Sequence, residues 1–442
     1  MPRFPTGLSA VTLATLFASG LAAAANFCVA VDGNDVNPGT KERPFASLAR
    51  AQNAAIPGDT IYIRGGTYAM RENQISQKTH NTASLFNLDK NGTEGKPIRY
   101  FAFPGERPVF DCSAVKPANL RVSAFRVTGS WVHIKGLEVT GVQVTILGHT
   151  QSICFENYGS HNVFERLSMH DGQAIGFYMT RGAYNLILNC DAYWNYDFTS
   201  ENGKGGNTDG FGCHPANDGE GNVFRGCRAW FNSDDGYDCI NAHAPVTFEH
   251  CWAFCNGYST AFKVLGDGNG FKAGGYGATP SPSLPSPIPR HRVIGCLAVR
   301  NHNSGFYANH HPGGIDWIHN TAFRNGNNFN FLCRTADNGD DQPGYGHKIV
   351  NNLSYQGNHD VIHLNEPACE RSGNTFDRPR RITDADFLGV DEAELTAPRQ
   401  PNGDLPEIRF LHLSPQSALR GTGTPVDPNG KGGSPDPGAF PS

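Results

Sequence analysis

The chain has 442 residues, a formal net charge of −5 at pH 7 and only 17% charged residues. This charge balance lacks the basic surface that general nucleic-acid binding requires. The 52 glycines and 29 prolines are typical of a β protein rich in turns, and all-β folds of this length often form one domain. We therefore expect a large all-β protein with no nucleic-acid partner.

Residues 1–25 have the organisation of a secretory signal peptide. Arg3 gives a short positive start, an apolar stretch covers residues 11–17, and small residues at 22–25 offer a cleavage site. An N-terminal membrane anchor is the alternative, but the apolar stretch is short and ends in alanines. We therefore expect a secreted, extracellular protein with no membrane partner, whose 12 cysteines meet an oxidising compartment.

The next part of the chain contains elements that suit a cap. Residues 26–66 include a strand-like run, a turn, an apparent amphipathic helix at about 45–55 and a strand at 60–64. A solenoid needs a cap because its first coil would otherwise expose the core. We therefore predict an N-terminal capping helix over the repeats that follow.

From about residue 95 to residue 365 the sequence repeats. Five runs align without gaps, and the asparagines that end them are 37, 24, 45 and 24 positions apart. Self-similarity with a period of about 20–50 residues indicates a solenoid, and short aromatic and β-branched runs indicate strands. We predict a right-handed parallel β-helix over residues 26–365, cap included. The five runs begin at Cys190, Cys227, Cys251, Cys296 and Asn320.

Equivalent residues of a solenoid stack in columns. The asparagines that end the five runs should form a ladder at a bend, where their amides satisfy each other and the turning backbone. They are Asn195, Asn232, Asn256, Asn301 and Asn325. The four cysteines that begin runs should form a second column, either as inert buried thiols or as bridged neighbours.

A Gly-aromatic pair also recurs in register, and in three copies its neighbours are carboxylates or a lysine. Asp209 and Asp235 precede the glycine in successive copies, so they should lie about 5 Å apart along the stacking direction. Asp238 and Lys272 both follow the aromatic residue and should be stacked neighbours. Asp234 adds a fourth carboxylate. The pattern therefore predicts four carboxylates and one lysine in a single cluster.

Insertions at about 196–206 and 257–266 should wall this cluster. Four carboxylates this close require a counter-charge, and one lysine supplies only part of it. Ca²⁺ accepts irregular sets of oxygen ligands from turns, so we predict a Ca²⁺ site here. Its predicted ligands are Asp209, Asp234, Asp235 and Asp238.

Lys272 has two interpretations, a salt bridge to Asp238 or a group that faces a bound ligand. The glycines around it favour the second, because they leave room for close approach. Lys204 and Lys263 in the insertions are weaker candidates for the same role. Possible acid–base groups, or polar groups on a binding face, are His214, His310 and His311.

These motifs resemble family 9 of the polysaccharide lyases, which are pectate lyases built on a parallel β-helix. The segments that carry the resemblance are Thr208–Phe211, Asn222–Trp230, Asn232–Asp238, Gly266–Lys272 and His311–Ile315. The resemblance implies that the four aspartates bind a catalytic Ca²⁺ and that Lys272 is the base. Residues 213–214 and 309–311 depart from the family's pattern at positions that could line a groove, which leaves the substrate open.

The resemblance implies a calcium-dependent pectate lyase that cleaves polygalacturonate, the acidic polysaccharide of plant cell-wall pectin, by β-elimination. A Ca²⁺ ion on the uronate carboxylate would acidify the C5 proton, which a neutral Lys272 takes at alkaline pH. A rhamnogalacturonan lyase with the same mechanism is the near alternative. Further alternatives are an inverting galacturonan hydrolase and a non-catalytic polysaccharide-binding β-helix.

After about residue 366 the repeat is lost. Residues 366–442 are irregular and end in a sequence rich in Gly, Pro and Ser. We predict that this C-terminal segment packs on the end of the solenoid, and we expect the protein to be a monomer.

Overall fold

The computed structural model describes residues 24–278, 281–377, 381–425 and 433–441. Its core is a stack of coils, each of which passes through three sheets in the same order before the next coil begins. Strands of neighbouring coils pair in parallel, and such crossover connections are right-handed almost without exception. The predicted all-β, right-handed parallel β-helix is therefore confirmed.

The strands are short, and their bounds define three sheets of 12, 10 and 11 strands. The first sheet contains Asn26–Val29, Thr60–Ile63, Ile98–Ala102, Val132–Lys135, Val163–Glu165, Leu186–Leu188, Asn222–Arg225, Val246–Glu249, Arg292–Ile294, Asp316–Ile318, Lys348–Val350 and Glu370–Ser372. The second contains Gly66–Ala69, Pro108–Asp111, Glu138–Thr140, Ser168–His170, Asp191–Tyr193, Arg228–Trp230, Trp252–Phe254, Leu297–Val299, Thr321–Phe323 and Leu353–Tyr355. The third contains Gln77–Lys78, Thr82–Leu88, Arg121–Val127, Ser152–Asn157, Ala174–Met179, Phe211–Cys213, Tyr237–Asp238, Phe271–Lys272, Ser304–Tyr307, Asn327–Asn330 and His359–Ile362. A separate antiparallel pair joins Cys333–Arg334 to Asp341–Gln342.

The predicted capping helix is confirmed as Leu48–Ala54. It begins after Ser47, whose hydroxyl accepts a hydrogen bond from a main-chain amide of the first turn at 3.1 Å. Its buried face packs on the first coils, where Gln52 Nε2 donates to Asn87 O at 3.0 Å. Short 3₁₀ turns lie at Glu72–Gln74, Ser200–Gly203, Ser281–Ser283, Glu366–Ala368, Thr375–Asp377, Asp384–Asp386 and Glu392–Thr396.

Residues 1–23, which make up most of the predicted signal peptide, lie outside the described residues. Across the part of the chain that the structure does describe, no helix has the length and apolar character needed to cross a membrane.

A stack of aromatic rings fills the solenoid behind the third sheet. The rings of Tyr237 and Phe271, on neighbouring coils, have centroids 4.6 Å apart. In the coils that carry the Gly-aromatic pair the ring follows a glycine because a side chain there would collide with the next coil. A Cβ on Gly236 would lie 2.7 Å from Gly270 O and 2.9 Å from Ala253 Cβ. This packing fixes the register of the residues on either side of each Gly-aromatic pair.

The predicted asparagine ladder is present and buried. Asn232 Nδ2 donates to Asn256 Oδ1 at 3.1 Å, and Asn256 Nδ2 donates to Asn301 Oδ1 at 3.0 Å. Asn256 Nδ2 also donates to Ala229 O at 3.0 Å, so each amide serves both the ladder and a strand end. The ladder also includes Asn195, Asn325 and Asn328.

The cysteine column is present as free thiols. In the part of the chain that the structure describes, none of the 12 cysteines forms a disulfide. Cys190 N lies 3.5 Å from Cys227 Sγ, and Cys251 N lies 3.4 Å from Cys296 Sγ. Cys296 N in turn donates to Asn320 Oδ1 at 2.9 Å, so the thiols occupy positions that asparagines take in later coils. Of the two alternatives for this column, buried thiols are confirmed.

Most of the C-terminal segment lies along the second sheet, so the prediction that it packs on the end of the solenoid is wrong for this part. Arg399 pairs with Asp191 at 2.7 Å, and Phe410 packs on Phe323 with ring centroids 5.6 Å apart. Residues 375–377 do pack near the last coil. The physical reason is a large apolar outer face on the second sheet, which needs cover from water. That face includes Trp230, Trp252, Phe254, Leu297 and Val299.

Candidate active site on the third sheet

The third sheet carries the predicted site residues on successive coils. Asp238 is paired in register with Gly212 on one side and with Lys272 on the other. Asp209 and Asp235 each stand two residues before the paired aromatic ring of their own coil. The glycine packing described above therefore brings these residues together, as the repeat predicted.

Three of the four predicted ligands form a compact group. One carboxylate oxygen from each of Asp209, Asp234 and Asp235 lies within 4.8 Å of the other two, and all three side chains are buried. Asp238 is not part of this group among the described residues, and its Oδ2 lies 3.1 Å from Lys272 Nζ. The four carboxylates therefore divide into a cluster of three and Asp238, which stands outside the cluster and contacts the lysine.

Main-chain and side-chain amides hold Oδ1 of Asp234 and Oδ1 of Asp235. Asp235 Oδ1 accepts hydrogen bonds from Asn269 N at 2.6 Å and from Asn269 Nδ2 at 2.9 Å. Asp234 Oδ1 accepts from Asp267 N at 2.9 Å. Asp235 Oδ2 is buried and receives no well-directed hydrogen bond from any described residue, although Lys272 Nζ lies 3.1 Å away. A bound cation would compensate this buried oxygen for the hydrogen bonds that it lacks.

Asn269 is a site residue that the sequence analysis did not single out. It stands directly before the Gly-aromatic pair of its coil, where Asp209 and Asp235 stand in theirs. That shared position was the available signal. An asparagine there can donate to the aspartate of the preceding coil, which another aspartate could not do.

Burial and mutual repulsion both oppose ionisation of the three clustered carboxylates. Burial first, and then the neighbouring carboxylates, raise the pKa of Asp209 and of Asp234 well above the usual range. Burial also raises the pKa of Asp235, against the opposing charge of Lys272. Burial alone would lower the pKa of Lys272, but the surrounding carboxylates outweigh it and raise that pKa. Buried donors that are all oxygen fit a hard divalent cation such as Ca²⁺.

The two insertions meet beside the cluster, as predicted. Ser233, which precedes Asp234, donates from Oγ to Gly205 O at 2.7 Å. The carbonyl of the same serine accepts from Gly266 N, also at 2.7 Å. The insertions therefore support the turn that carries two of the carboxylates. Lys204 and Lys263, the weaker candidates for the role of Lys272, are exposed on these insertions.

The three candidate histidines lie in different surroundings. His311 is fully buried with Nε2 2.9 Å from Pro289 O, so it belongs to the interior of a loop. His310 is partly exposed and pairs with Asp341 at 2.7 Å. His214 is partly exposed at the end of a third-sheet strand, and burial lowers its pKa. Of the three, His214 lies on the same sheet as the carboxylate cluster.

The architecture of this chain occurs in known proteins. The family model described as "Pel9A-like, right handed beta helix region" matches residues 27–351. The chain belongs to this family, family 9 of the polysaccharide lyases. A second model, described as "Rhamnogalacturonan lyase-like, C-terminal", matches residues 365–437 of the lyase.

Relatives of the lyase cover nearly its whole length. Pectate lyase L of Dickeya chrysanthemi is 33% identical over 445 residues, which cover 98% of this chain and 95% of that protein. A solved structure named rhamnogalacturonan lyase is 46% identical with a TM-score of 0.86, and covers 88% of this chain and 96% of its own. The structure of pectate lyase Pel9A is 32% identical with a TM-score of 0.77, and covers 95% and 97%.

These relatives confirm the resemblance to family 9 and the class of enzyme. Both enzyme names that they carry, pectate lyase and rhamnogalacturonan lyase, denote polysaccharide lyases. The predicted lyase class is thereby confirmed over the hydrolase and the non-catalytic alternatives.

Proposed function

We propose that this lyase cleaves the rhamnogalacturonan backbone by β-elimination, with Ca²⁺ held by Asp209, Asp234 and Asp235 and with Lys272 as the base. The observation that carries the proposal is the group of three buried carboxylates within 4.8 Å of one another, beside a lysine whose Nζ lies 3.1 Å from Asp235 Oδ2. Such a group suits a hard cation next to a base. Asp238, predicted as the fourth ligand, is assigned here to holding the lysine.

Two comparisons favour rhamnogalacturonan over polygalacturonate as the substrate. The structure named rhamnogalacturonan lyase shares 46% identity with this chain, against 32% for pectate lyase Pel9A. The C-terminal segment also matches a family described as rhamnogalacturonan lyase-like. Polygalacturonate is the second candidate because pectate lyase L matches almost the entire chain.

The roles of the residues follow from the reaction. Bound Ca²⁺ would supply positive charge for the uronate carboxylate and so acidify the C5 proton. The carboxylates around Lys272 raise its pKa, so the neutral amine that the reaction needs becomes available at alkaline pH and with the counter-charge of the ion in place. Lys272 Nζ, in this neutral form, takes the C5 proton, and the electron pair of the C5–H bond forms the C4=C5 double bond. The C4–O4 bond breaks, and the departing oxygen keeps its electron pair and gains a proton from water. Asp235 and Asp238, each 3.1 Å from Nζ, hold the amine in place.

The test follows the ultraviolet absorbance of the unsaturated product. Rhamnogalacturonan and polygalacturonate are offered separately, each with added Ca²⁺ or with a chelator. We expect calcium-dependent absorbance on rhamnogalacturonan, and Lys272→Ala should reduce it by about 10²–10⁴-fold because the base is lost. Lys348→Ala is the matched control, since that partly exposed lysine pairs with Glu370 on the first sheet.

Each other outcome removes one part of the proposal. Calcium-dependent absorbance on polygalacturonate alone would change the substrate and keep the mechanism. Full activity in the chelator would remove the role of Ca²⁺. Full activity of Lys272→Ala would remove the lysine as base.

We also propose that the enzyme is secreted after removal of residues 1–25. The apolar stretch and the alanines before residue 26 support this. The mass of the mature protein recovered outside the producing cell tests it. A protein retained in the cell with an intact N-terminus would contradict it.

A further inference from the structure

A row of residues on the third sheet, paired in register from coil to coil, extends away from the active site. Residues paired in register along this sheet stand one strand spacing apart, about 4.8 Å. The row begins with the base and the carboxylate that holds it, continues through uncharged groups, and ends with a carboxylate and a cation. In order, these residues are Lys272, Asp238, Gly212, Tyr178, Glu156 and Arg126.

The uncharged part of the row is a pair of stacked rings. The ring of Tyr178 lies on that of His214, with centroids 4.6 Å apart and an angle of 23° between the planes. Both rings lie over Gly212, where an added Cβ would be 2.6 Å from Tyr178 Cδ2 and 3.0 Å from His214 Nε2. The glycine therefore leaves room for both rings over a position that is paired in register with Asp238.

This ring pair offers hydrogen-bonding groups without charge. His214 Nδ1 lies 2.5 Å from Ile240 O, so Nδ1 carries the hydrogen and Nε2 is left as an acceptor. Burial lowers the pKa of His214, which keeps the ring neutral although Asp238 acts in the other direction. The Tyr178 hydroxyl makes no hydrogen bond with any described residue and is both donor and acceptor.

The surroundings of the pair are mainly acidic. The charged groups that act on Tyr178 are Asp238, Asp209, Arg121 and Glu156, and Lys272 also acts on His214. Glu156 is 8% exposed, and its Oε1 accepts from the Tyr158 hydroxyl at 2.7 Å. Its Oε2 is buried without a hydrogen-bond partner among the described residues. Arg126 is paired in register with Glu156, but its guanidinium lies over the Tyr158 ring, 4.6 Å from the centroid, and forms no ion pair with Glu156 among the described residues. A uronate carboxylate placed beside Glu156 would therefore be repelled.

We propose that Tyr178 and His214 form a subsite for an uncharged sugar next to the galacturonate at Lys272, and that Glu156 excludes a second uronate there. This inference rests on the proposed function and deepens it. In rhamnogalacturonan both neighbours of a galacturonate are rhamnose, which bears hydroxyls and a methyl group but no charge. In polygalacturonate both neighbours are galacturonates, and each carries a carboxylate. The discrimination therefore holds in whichever direction the polysaccharide lies.

The test compares kcat/KM on the two polymers with added Ca²⁺ for three variants of the full chain. Tyr178→Phe keeps the ring and removes the hydroxyl, so kcat/KM on rhamnogalacturonan should fall about three- to tenfold, mainly through KM. Glu156→Gln keeps the acceptor for the Tyr158 hydroxyl and removes the charge. It should raise the ratio of polygalacturonate to rhamnogalacturonan activity at least about fivefold.

Tyr184→Phe is the matched control. Tyr184 is 50% exposed on a turn outside the third sheet, and its hydroxyl bonds to Glu220. Both of its kinetic constants should equal those of the unmodified enzyme. Thermal unfolding of every variant within about 2 °C of the unmodified enzyme would show that the fold is intact.

The outcomes separate this inference from the proposed function. Activity on rhamnogalacturonan with an unchanged substrate ratio in Glu156→Gln and unchanged KM in Tyr178→Phe would overturn the inference alone. Activity of the unmodified enzyme on polygalacturonate only would overturn the proposed substrate and this subsite with it. A raised ratio in Glu156→Gln together with a raised KM in Tyr178→Phe would support both.

Discussion

Asp209 shows how a single residue can be placed for a ligand at a cost to the protein. It is buried beside two other carboxylates and accepts one main-chain hydrogen bond, from Asp235 N at 3.2 Å. Burial and its neighbours raise its pKa, so the ionised form is unfavourable without a counter-charge. A bound cation would reverse this balance, because it is attracted to the same charges that repel each other.

Asp209→Asn tests this balance directly. The amide keeps an acceptor for the main-chain hydrogen bond and removes one of three crowded charges. In a chelator the variant should therefore unfold at a higher temperature than the unmodified enzyme. It should also lose most of the rise in unfolding temperature that Ca²⁺ gives the unmodified enzyme. An equal Ca²⁺-dependent rise in both proteins would contradict a role for Asp209 in binding the ion.

His311 gives the stability of the protein a dependence on pH. Burial lowers the pKa of His311 to about 4, against about 6.5 in an unfolded chain. The unfolded state therefore binds a proton that the folded state refuses, and stability falls as pH drops from about 6.5 toward 4. Within that window His311→Asn should reduce the slope of unfolding free energy against pH by about 1.4 kcal/mol per pH unit. Urea unfolding at several pH values measures the slope, and identical slopes would contradict the assignment.

At the scale of elements, the asparagine ladder ties one coil to the next. Asn256 donates to Asn301 Oδ1 and to Ala229 O, and its own Oδ1 accepts from Asn232. Every one of these groups is buried, so removal of the amide leaves partners with nothing to bond. Replacement of a ladder asparagine in the middle of the solenoid should therefore lower the unfolding free energy far more than replacement of an exposed asparagine.

The expected cost of Asn256→Ala is about 2–4 kcal/mol of unfolding free energy. Asn217→Ala is the matched control, because that side chain is exposed and, among the residues that the structure describes, bonds to His243 alone. It should change stability by less than about 0.5 kcal/mol. Urea unfolding of both variants gives the comparison, and similar losses in the two would mean that the ladder does not stabilise the coils.

The elements that the sequence predicted well are those under a repeating steric constraint. In the coils of the site the glycine before the ring lies against an alanine of the next coil, so the phrase keeps its register and places Asp209, Asp235, Asp238 and Lys272 correctly. Side-chain direction is not under that constraint. The separation of Asp238 from the cluster, and the hydrogen bonds from Asn269, therefore became visible only in three dimensions.

At the scale of the whole molecule, the C-terminal segment follows no repeat, and its position could not be read from periodicity. A signal was nevertheless present in the outward residues of the second sheet, where Trp230, Trp252 and Phe254 follow or precede the inward alanines. Aromatic residues on an outer face require cover. Fold prediction from the repeat alone accounts for the coils and leaves out the chain that lies across them.

Deletion of residues 381–442 should expose this aromatic face. The truncated protein should bind a hydrophobic dye strongly and self-associate, because a large apolar patch would meet water. Dye fluorescence and light scattering at matched concentrations measure both effects. A truncated protein that stays monomeric and unfolds at the same temperature as the full chain would show that the segment contributes nothing to stability.

The path of the C-terminal segment also bears on how the molecule opens. Repeats held by neighbour contacts alone can fray one coil at a time. Here Pro401 O accepts from Arg166 Nη1 at 3.3 Å, while Phe387 packs on Tyr355 with ring centroids 5.1 Å apart. These contacts reach coils on both sides of the carboxylate cluster, so a middle coil cannot separate without releasing a strap anchored elsewhere. The coils should therefore unfold together rather than one at a time. The carboxylate cluster, whose residues come from several coils, is then held as firmly as the whole solenoid.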